Sequence, residues 1–130
     1  MITYEQLCAS VRAHIKEIKV QELFQKLDKK PRIIDIREPE EFNISHIKQA
    51  VNIPRGILEG EIDKHPDVAE HDDALQRLSG EPLYLICRSG KRSALATKSL
   101  EEMGFKKVYS VAGGMNAWLE AEFPYVTENS

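Results

Sequence analysis

The chain has 130 residues and a formal net charge of −3 at pH 7, with 42% hydrophobic and 30% charged residues. This length predicts one domain with its own core, and the acidic balance argues against nucleic acid as a general partner. No apolar run approaches the ~20 residues of a membrane span, and residues 1–20 lack the apolar centre of a signal peptide. We therefore expect no membrane partner and a cytoplasmic location, where Cys8 and Cys87 stay reduced.

The first predicted element is an amphipathic helix from residue 3 to about residue 17. Thr3 and Gln6 form a capping-box pattern, and apolar residues follow at helical spacing. Cys8 lies on the apolar stripe, which indicates a packed core residue rather than a second reactive thiol. We treat residues 1–17 as a helical extension that either caps the sheet or carries a partner interface, and the sequence leaves both alternatives open.

Strands and helices alternate through the rest of the chain. Predicted strands cover residues 18–20, 32–37, 50–54, 82–86 and 108–111. This alternation predicts an α/β fold, with a mainly parallel sheet, right-handed crossovers and helices on both faces. Loops at the carboxyl ends of such strands form the ligand site, and here those loops begin at Asp35, Cys87 and Ala112.

Two charged residues end the second predicted strand. Asp35 and Arg37 are candidates for the rim of the site because of this position. Asp35 could support the cationic loop that follows the fourth strand, or it could form an ordinary ion pair at a strand end. The sequence does not decide between these alternatives.

The histidines offer no pattern that suggests a metal. His65 and His71 have no cysteine or clustered carboxylate spacing around them that matches a metal site. We predict that both are surface residues and that the protein binds no metal.

The segment after the fourth predicted strand, here called the cysteine loop, carries the strongest chemical signal. It consists of Cys87, Arg88, Ser89, Gly90, Lys91, Arg92 and Ser93. A helix is predicted to begin near Arg92, so backbone N–H groups should form a concavity for an anion or a negatively charged sulfur. The helix dipole and three nearby cations favour the thiolate, which is the nucleophile. Reactive cysteines occur in electropositive, partly exposed surroundings, and Cys87 fits this description better than that of a buried structural cysteine.

Five stretches in this order resemble a single-domain rhodanese. They are residues 35–42 (Asp-Ile-Arg-Glu-Pro-Glu-Glu-Phe), 46–47 (His-Ile), 50–54 (Ala-Val-Asn-Ile-Pro), 87–93 and 113–118 (Gly-Gly-Met-Asn-Ala-Trp). The resemblance covers about residues 20–118 and implies a five-stranded parallel sheet with flanking helices, in a domain that we place at residues 18–126. It also implies sulfurtransferase activity without a cofactor. Cys87 matches the family's persulfide-forming cysteine, and residues 88–92 match its cradle.

One stretch departs from the family pattern. Ser45 and Gln49 occupy positions where these proteins usually have glycine. If either position needed a positive φ, its side chain would cost about 1 kcal/mol.

The resemblance implies transfer in two steps. Cys87 takes the outer sulfur of an anionic donor such as thiosulfate, and an acceptor, either cyanide or a thiol, removes it. Backbone N–H groups of residues 88–93 are expected to hold the terminal sulfur. Arg88 and Lys91 are expected to attract the donor, and Arg92 to turn inward to an acid such as Asp35. A protein donor or acceptor remains an alternative to small molecules.

Two other functions are compatible with the same residues. One is a cysteine-dependent phosphatase or arsenate reductase, but the cysteine loop has four residues between Cys87 and Arg92, one fewer than the related phosphatases. The other is a non-catalytic rhodanese-like binding module, since a fold alone does not fix a function. Loss of the cysteine would mark that class, and Cys87 is present.

Overall fold

In the computed structural model, which describes residues 1–128, the centre of the protein is a parallel sheet. Its strands are β1 (Glu17–Lys19), β2 (Arg32–Asp35), β3 (Val51–Asn52), β4 (Leu83–Ile86) and β5 (Val108–Ala112). Their order across the sheet is β1-β5-β4-β2-β3, and all neighbouring strands are parallel. The α/β class and the five-stranded parallel sheet are therefore confirmed.

Helices cover both faces of this sheet. They are α1 (Tyr4–Arg12), α2 (Val20–Gln25), α3 (Pro39–Ile44), α4 (Leu58–Glu61), α5 (Ala74–Ser79), α6 (Lys91–Glu102) and α7 (Gly114–Glu120). Successive strand side chains point to opposite faces. On one face Leu83 and Leu85 share a core cluster with residues of α4, α5 and α6, and on the other Tyr84 and Ile86 share one with residues of α2 and α7. The apolar run of β4 is buried on both faces, as predicted.

The N-terminal helix is shorter than predicted because the chain enters the sheet early. The capping box of Thr3 and Gln6 is present, and Cys8 is buried on the apolar side as expected. The helix ends at Arg12, and the Lys16 carbonyl already accepts a hydrogen bond from the backbone of Ser110 in β5. The division between residues 1–17 and 18–126 stays a proposal.

The two positions that lack the family's glycines adopt ordinary backbone conformations. Ser45 has a φ of −162°, which is extended. Within residues 1–128, the non-glycine residues with positive φ are Lys30 and Glu122. The strain considered for Ser45 and Gln49 therefore does not arise.

The prediction for one histidine was wrong. His65 is only 3% exposed, and it ends the short turn Ile62–Lys64, where its N–H donates to the Ile62 carbonyl and its own carbonyl accepts from Val68. Its Nδ1 atom accepts a hydrogen bond of 3.2 Å from the backbone N–H of Asp67. Burial lowers the pKa of His65 below its usual value. His71 is exposed, as predicted.

Two possible features do not occur within residues 1–128. None of the helices there is long and apolar enough to cross a membrane. No cluster of His, Cys, Asp and Glu side chains there is arranged to hold a metal ion.

Candidate active site

The cysteine loop lies where the chain direction across the sheet changes. β2 connects onward to its neighbour β3, whereas β4 connects onward to β5 on the other side. The carboxyl ends of β2 and β4 thus form a topological switch point, the usual ligand site of an open α/β sheet. Cys87 directly follows β4, and α6 begins four residues later, at Lys91.

The sulfur of Cys87 points into the cysteine loop. It accepts hydrogen bonds from the backbone N–H groups of Gly90, at 3.1 Å, and Ser93, at 3.4 Å. The Ser93 hydroxyl lies 3.4 Å from the same sulfur and 2.7 Å from the hydroxyl of Ser110. Cys87 is only 1% exposed, so the expected partial exposure is wrong: the loop backbone encloses the thiol.

The cysteine loop contains further backbone donors. Among the described residues, the N–H groups of Arg88, Ser89, Lys91 and Arg92 have no hydrogen-bond acceptor. Two of them belong to the first turn of α6, a twelve-residue helix whose N-terminus carries a partial positive charge. The loop can therefore stabilise a negative charge beyond that of the thiolate itself.

Glycines let the loop approach β5 and α7 closely. Gly90 has a φ of +97°, and a β-carbon there would lie 3.1 Å from the backbone nitrogen of Gly113. The N–H groups of Met115 and Asn116, at the start of α7, donate to the carbonyls of Cys87 and Arg88 at 2.8 and 2.9 Å. The predicted sharp turn and close approach at residues 113–114 are confirmed.

Both arginines of the loop are paired with Glu41 of α3. Arg92 donates two hydrogen bonds to its carboxylate, at 3.0 and 3.1 Å, and Arg88 lies 2.7 Å from it. The hydrogen bonds from Arg92, followed by the Glu38 backbone N–H and the arginine charges, outweigh burial and lower the pKa of Glu41 to about 2. Arg92 thus pairs with an acid, as expected, but the acid is not Asp35, because the carboxylate of Asp35 is already bound by Arg37.

Asp35 and Arg37 form a buried pair instead of an exposed rim. They are 0% and 5% exposed, and Nη2 of Arg37 lies 2.8 Å from the Asp35 carboxylate. The same Nη2 donates 2.6 Å to the carbonyl of Ser45, the residue that caps the end of α3. Of the two alternatives for Asp35, the geometry favours the ion pair. Asp35 is connected to the cysteine loop only indirectly, because Arg37 contacts the end of α3 and α3 carries Glu41.

The third cation of the loop reaches the N-terminal helix. Nζ of Lys91 lies 2.6 Å from the carboxylate of Glu5 and 6.0 Å from the centre of the Tyr4 ring. The hydrogen bond with Glu5 raises the pKa of Lys91. Ser89 is exposed at the outer side of the loop.

Sequence reasoning missed Glu5 and Glu41 as partners of the loop. The sequence pattern identifies Glu41 only as an acid in the first turn of a predicted helix. Glu5 belongs to a segment outside the resemblance. The alternation of strands and helices carried a signal for Glu41, because α3 follows a strand whose carboxyl end meets the loop. Nothing local to the sequence pointed to Glu5.

The sequence matches a known family and has curated relatives. Residues 19–121 match the Rhodanese-like domain family. YtwF of Bacillus subtilis, a candidate sulfurtransferase, is 40% identical over 106 residues, which are 80% of this chain and 90% of that protein. Other relatives bear names that describe a sulfur carrier or a combined adenylyltransferase and sulfurtransferase, and the chain spans only 51% and 28% of two of these.

Solved structures share the fold over nearly the whole chain. The polysulfide-sulfur transferase homodimer of Wolinella succinogenes superimposes with a TM-score of 0.73 and 26% identity, covering 97% of this chain and 88% of that one. A Rhodopseudomonas palustris protein of unknown function, described as a candidate tyrosine phosphatase, gives a TM-score of 0.80 and 25% identity, covering 97% and 96%. With its family match, its relatives named for sulfur transfer and its parallel sheet, this chain belongs to the rhodanese-like domain family.

Proposed function

We propose that this protein is a thiosulfate sulfurtransferase that carries sulfur as a persulfide on Cys87. The main support for this proposal is the environment of the Cys87 sulfur. The sulfur accepts hydrogen bonds from the backbone N–H groups of Gly90 and Ser93. Two N–H donors aimed at the sulfur can stabilise negative charge there, and the thiolate is the nucleophile. The unpaired N–H groups of residues 88, 89, 91 and 92 are available to hold an outer sulfur once it is attached.

In the first half-reaction the Cys87 thiolate attacks the outer sulfur of thiosulfate. A sulfur–sulfur bond forms to Cys87 as the sulfur–sulfur bond of thiosulfate breaks, and sulfite leaves with the electron pair. Sulfite is a stable anion and needs no proton to leave, so the step requires no general acid. Fixed N–H dipoles stabilise the charge on the outer sulfur without any cofactor.

In the second half-reaction an acceptor removes that outer sulfur. Cyanide attacks it to give thiocyanate, or a thiolate attacks it to give a new persulfide, and in each case Cys87 is released as a thiolate. Because Cys87 is 1% exposed, the acceptor atom must reach into the loop. A small thiol can do this, and so can a narrow segment of a partner protein.

The remaining site residues have positioning roles in this proposal. Arg88 and Arg92 are bound to Glu41, which fixes the shape of the loop and weakens their attraction for a donor. Asp35 and Arg37 support α3, which carries Glu41. The cytoplasm remains the proposed compartment, because a reducing environment keeps Cys87 as a thiol.

The test is intact-protein mass spectrometry after incubation with thiosulfate. We expect the mass of one added sulfur atom, which cyanide then removes, and ping-pong kinetics in the steady state. Cys87→Ser should lose the adduct, whereas Cys8→Ser, the matched control, should keep it. An adduct that maps to Cys8, or an undiminished rate in Cys87→Ser, would overturn the assignment.

The alternative of a phosphatase or arsenate reductase is favoured by the description of the Rhodopseudomonas neighbour. The short cysteine loop opposes it, since four intervening residues leave little room for a phosphoryl group whose several oxygens need donors. Aryl phosphate hydrolysis and thiocyanate formation should be measured in one preparation. Phosphate release that depends on Cys87 and exceeds thiocyanate formation would support the phosphatase.

The alternative of a non-catalytic binding module makes a separate prediction. Such a module would form no persulfide with any sulfane donor, although it would keep the fold. Absence of both the sulfur adduct and phosphate release in a folded preparation would therefore favour the module.

A further inference from the structure

The N-terminal helix α1 lies outside the family match yet borders the candidate active site. The match begins at residue 19, whereas α1 spans Tyr4–Arg12. Cys8 and Val11 are buried, and α1 packs against α6, the helix that begins in the cysteine loop. Its first turn is fixed by the capping box of Thr3 and Gln6, and this turn carries Tyr4 and Glu5.

Two side chains of that first turn face the loop. Glu5 binds Nζ of Lys91 at 2.6 Å, and the same Nζ lies 6.0 Å from the centre of the Tyr4 ring. Burial raises the pKa of Tyr4. The first turn of α1 therefore contacts the cysteine loop through Lys91.

All three cations of the loop are paired with carboxylates. Arg88 and Arg92 share Glu41, and Lys91 has Glu5. Three cations and two carboxylates leave one net positive charge at the loop. Without the charge of Glu5, the net charge would be two. Glu41 is held by two arginines and is 17% exposed, whereas Glu5 is 67% exposed and bound by a single lysine. Of the two carboxylates, Glu5 is therefore the one whose charge can be removed without breaking the arginine pairs.

We propose that Glu5 is a specificity-determining residue that holds Lys91 against α1 and so weakens the preference of the site for dianionic over monoanionic sulfane donors. This inference rests on the proposed sulfur transfer, and it names the residue that sets how strongly the site distinguishes donors by their charge. The Coulomb energy between donor and site is proportional to the charge of the donor. When Glu5 neutralises the charge of Lys91, the loss of attraction is therefore twice as large for a dianion as for a monoanion. Glu5 acts through Lys91 and through the field at the loop, and it touches no reacting atom.

The experiment compares two donors with the same transferable sulfur and different charges. Thiosulfate is a dianion and releases sulfite, whereas methanethiosulfonate is a monoanion and releases methanesulfinate. KM and kcat are measured for both donors in wild type and in Glu5→Gln, with cyanide as acceptor. The matched control is Glu61→Gln, which removes a carboxylate paired with Lys64, a lysine outside the loop.

We expect Glu5→Gln to lower KM for thiosulfate, and to shift the ratio of the two KM values by about threefold in favour of thiosulfate at low salt. The values of kcat should not change, and high salt should abolish the shift because the charges are exposed. Glu5→Asp, which keeps the carboxylate, should retain the wild-type ratio, and Glu61→Gln should retain it too. In a Lys91→Ala background, Glu5→Gln should have no further effect on the ratio.

Two results would overturn the inference. One is an unchanged KM ratio in Glu5→Gln, and the other is an equal shift with and without Lys91. Failure of the proposed function gives a different result, namely no Cys87-dependent transfer from either donor. Far-ultraviolet circular dichroism and thermal unfolding of each variant establish that α1 is still folded.

Discussion

Gly114 lies so close to Cys87 that a β-carbon on it would overlap the Cys87 carbonyl oxygen. Gly114 has a φ of +55°, and the next residue donates its N–H to that carbonyl at 2.8 Å. The start of α7 therefore packs directly against the backbone of the cysteine loop. The positive φ and the close approach both require glycine, for independent physical reasons.

Gly114→Ala should disturb the cysteine loop and destabilise the protein. The new methyl group meets the backbone of Cys87 and Arg88, and the left-handed conformation is strained for alanine, so we expect a loss of about 2 kcal/mol in the free energy of unfolding. Urea denaturation measures this loss, and single-turnover persulfide formation should slow in the fraction that folds. Gly60→Ala is the control, because nothing lies within 4 Å of its new methyl group. Equal stability of the two variants would contradict the prediction.

Ser93→Ala should slow persulfide formation while leaving the fold intact. The Ser93 hydroxyl lies 3.4 Å from the Cys87 sulfur and can donate to it in the thiolate form. Loss of one donor to a charged group should reduce the rate at saturating donor about five- to tenfold. Ser110→Ala is the control, since Ser110 contacts the Ser93 hydroxyl and not the sulfur. A rate in Ser93→Ala that equals wild type would mean that the backbone N–H groups suffice.

The sequence predicted those parts of the site that are close together in the chain. The apolar run of β4 and the cysteine loop are adjacent, so strand, turn and helix start follow from local patterns. The pairs Arg92–Glu41 and Lys91–Glu5 span 51 and 86 positions, and they depend on how α3 and α1 pack. No periodicity or motif encodes that packing, so the sequence indicates Asp35 and not Glu41 as the acid nearest to Arg92. The buried position of His65 has the same origin, because a short turn between helices gives no sequence periodicity that reports burial.

His65 should bind its proton in the folded protein at a lower pH than in the unfolded chain. Burial lowers its pKa from the usual 6.5, and the unfolded chain takes up the proton first. His65 should therefore not change the free energy of unfolding above pH 6.5. Below pH 6.5 it should lower that free energy as the pH falls, by up to about 1.4 kcal/mol per pH unit. Proton NMR of the His65 ring in the native protein measures the midpoint directly. A midpoint at 6.5 or above would contradict the burial argument.

Glu41 should make the folded protein sensitive to acid. Its pKa falls from 4.5 to about 2, chiefly through the hydrogen bonds from Arg92, so the folded state keeps the carboxylate charged where the unfolded chain binds a proton. The stabilisation is fully present above pH 4.5, is lost as the pH falls from 4.5 to about 2, and amounts to about 3 kcal/mol. Glu41→Gln should therefore lower stability at pH 7 and show a flatter decrease of stability between pH 5 and pH 2 than wild type. Arg92→Gln should flatten the same decrease in part, because Arg88 still faces the carboxylate at 2.7 Å. Urea denaturation at a series of pH values gives the difference curves, and parallel curves for wild type and Glu41→Gln would show that the pairing of Glu41 with the two arginines does not stabilise the fold.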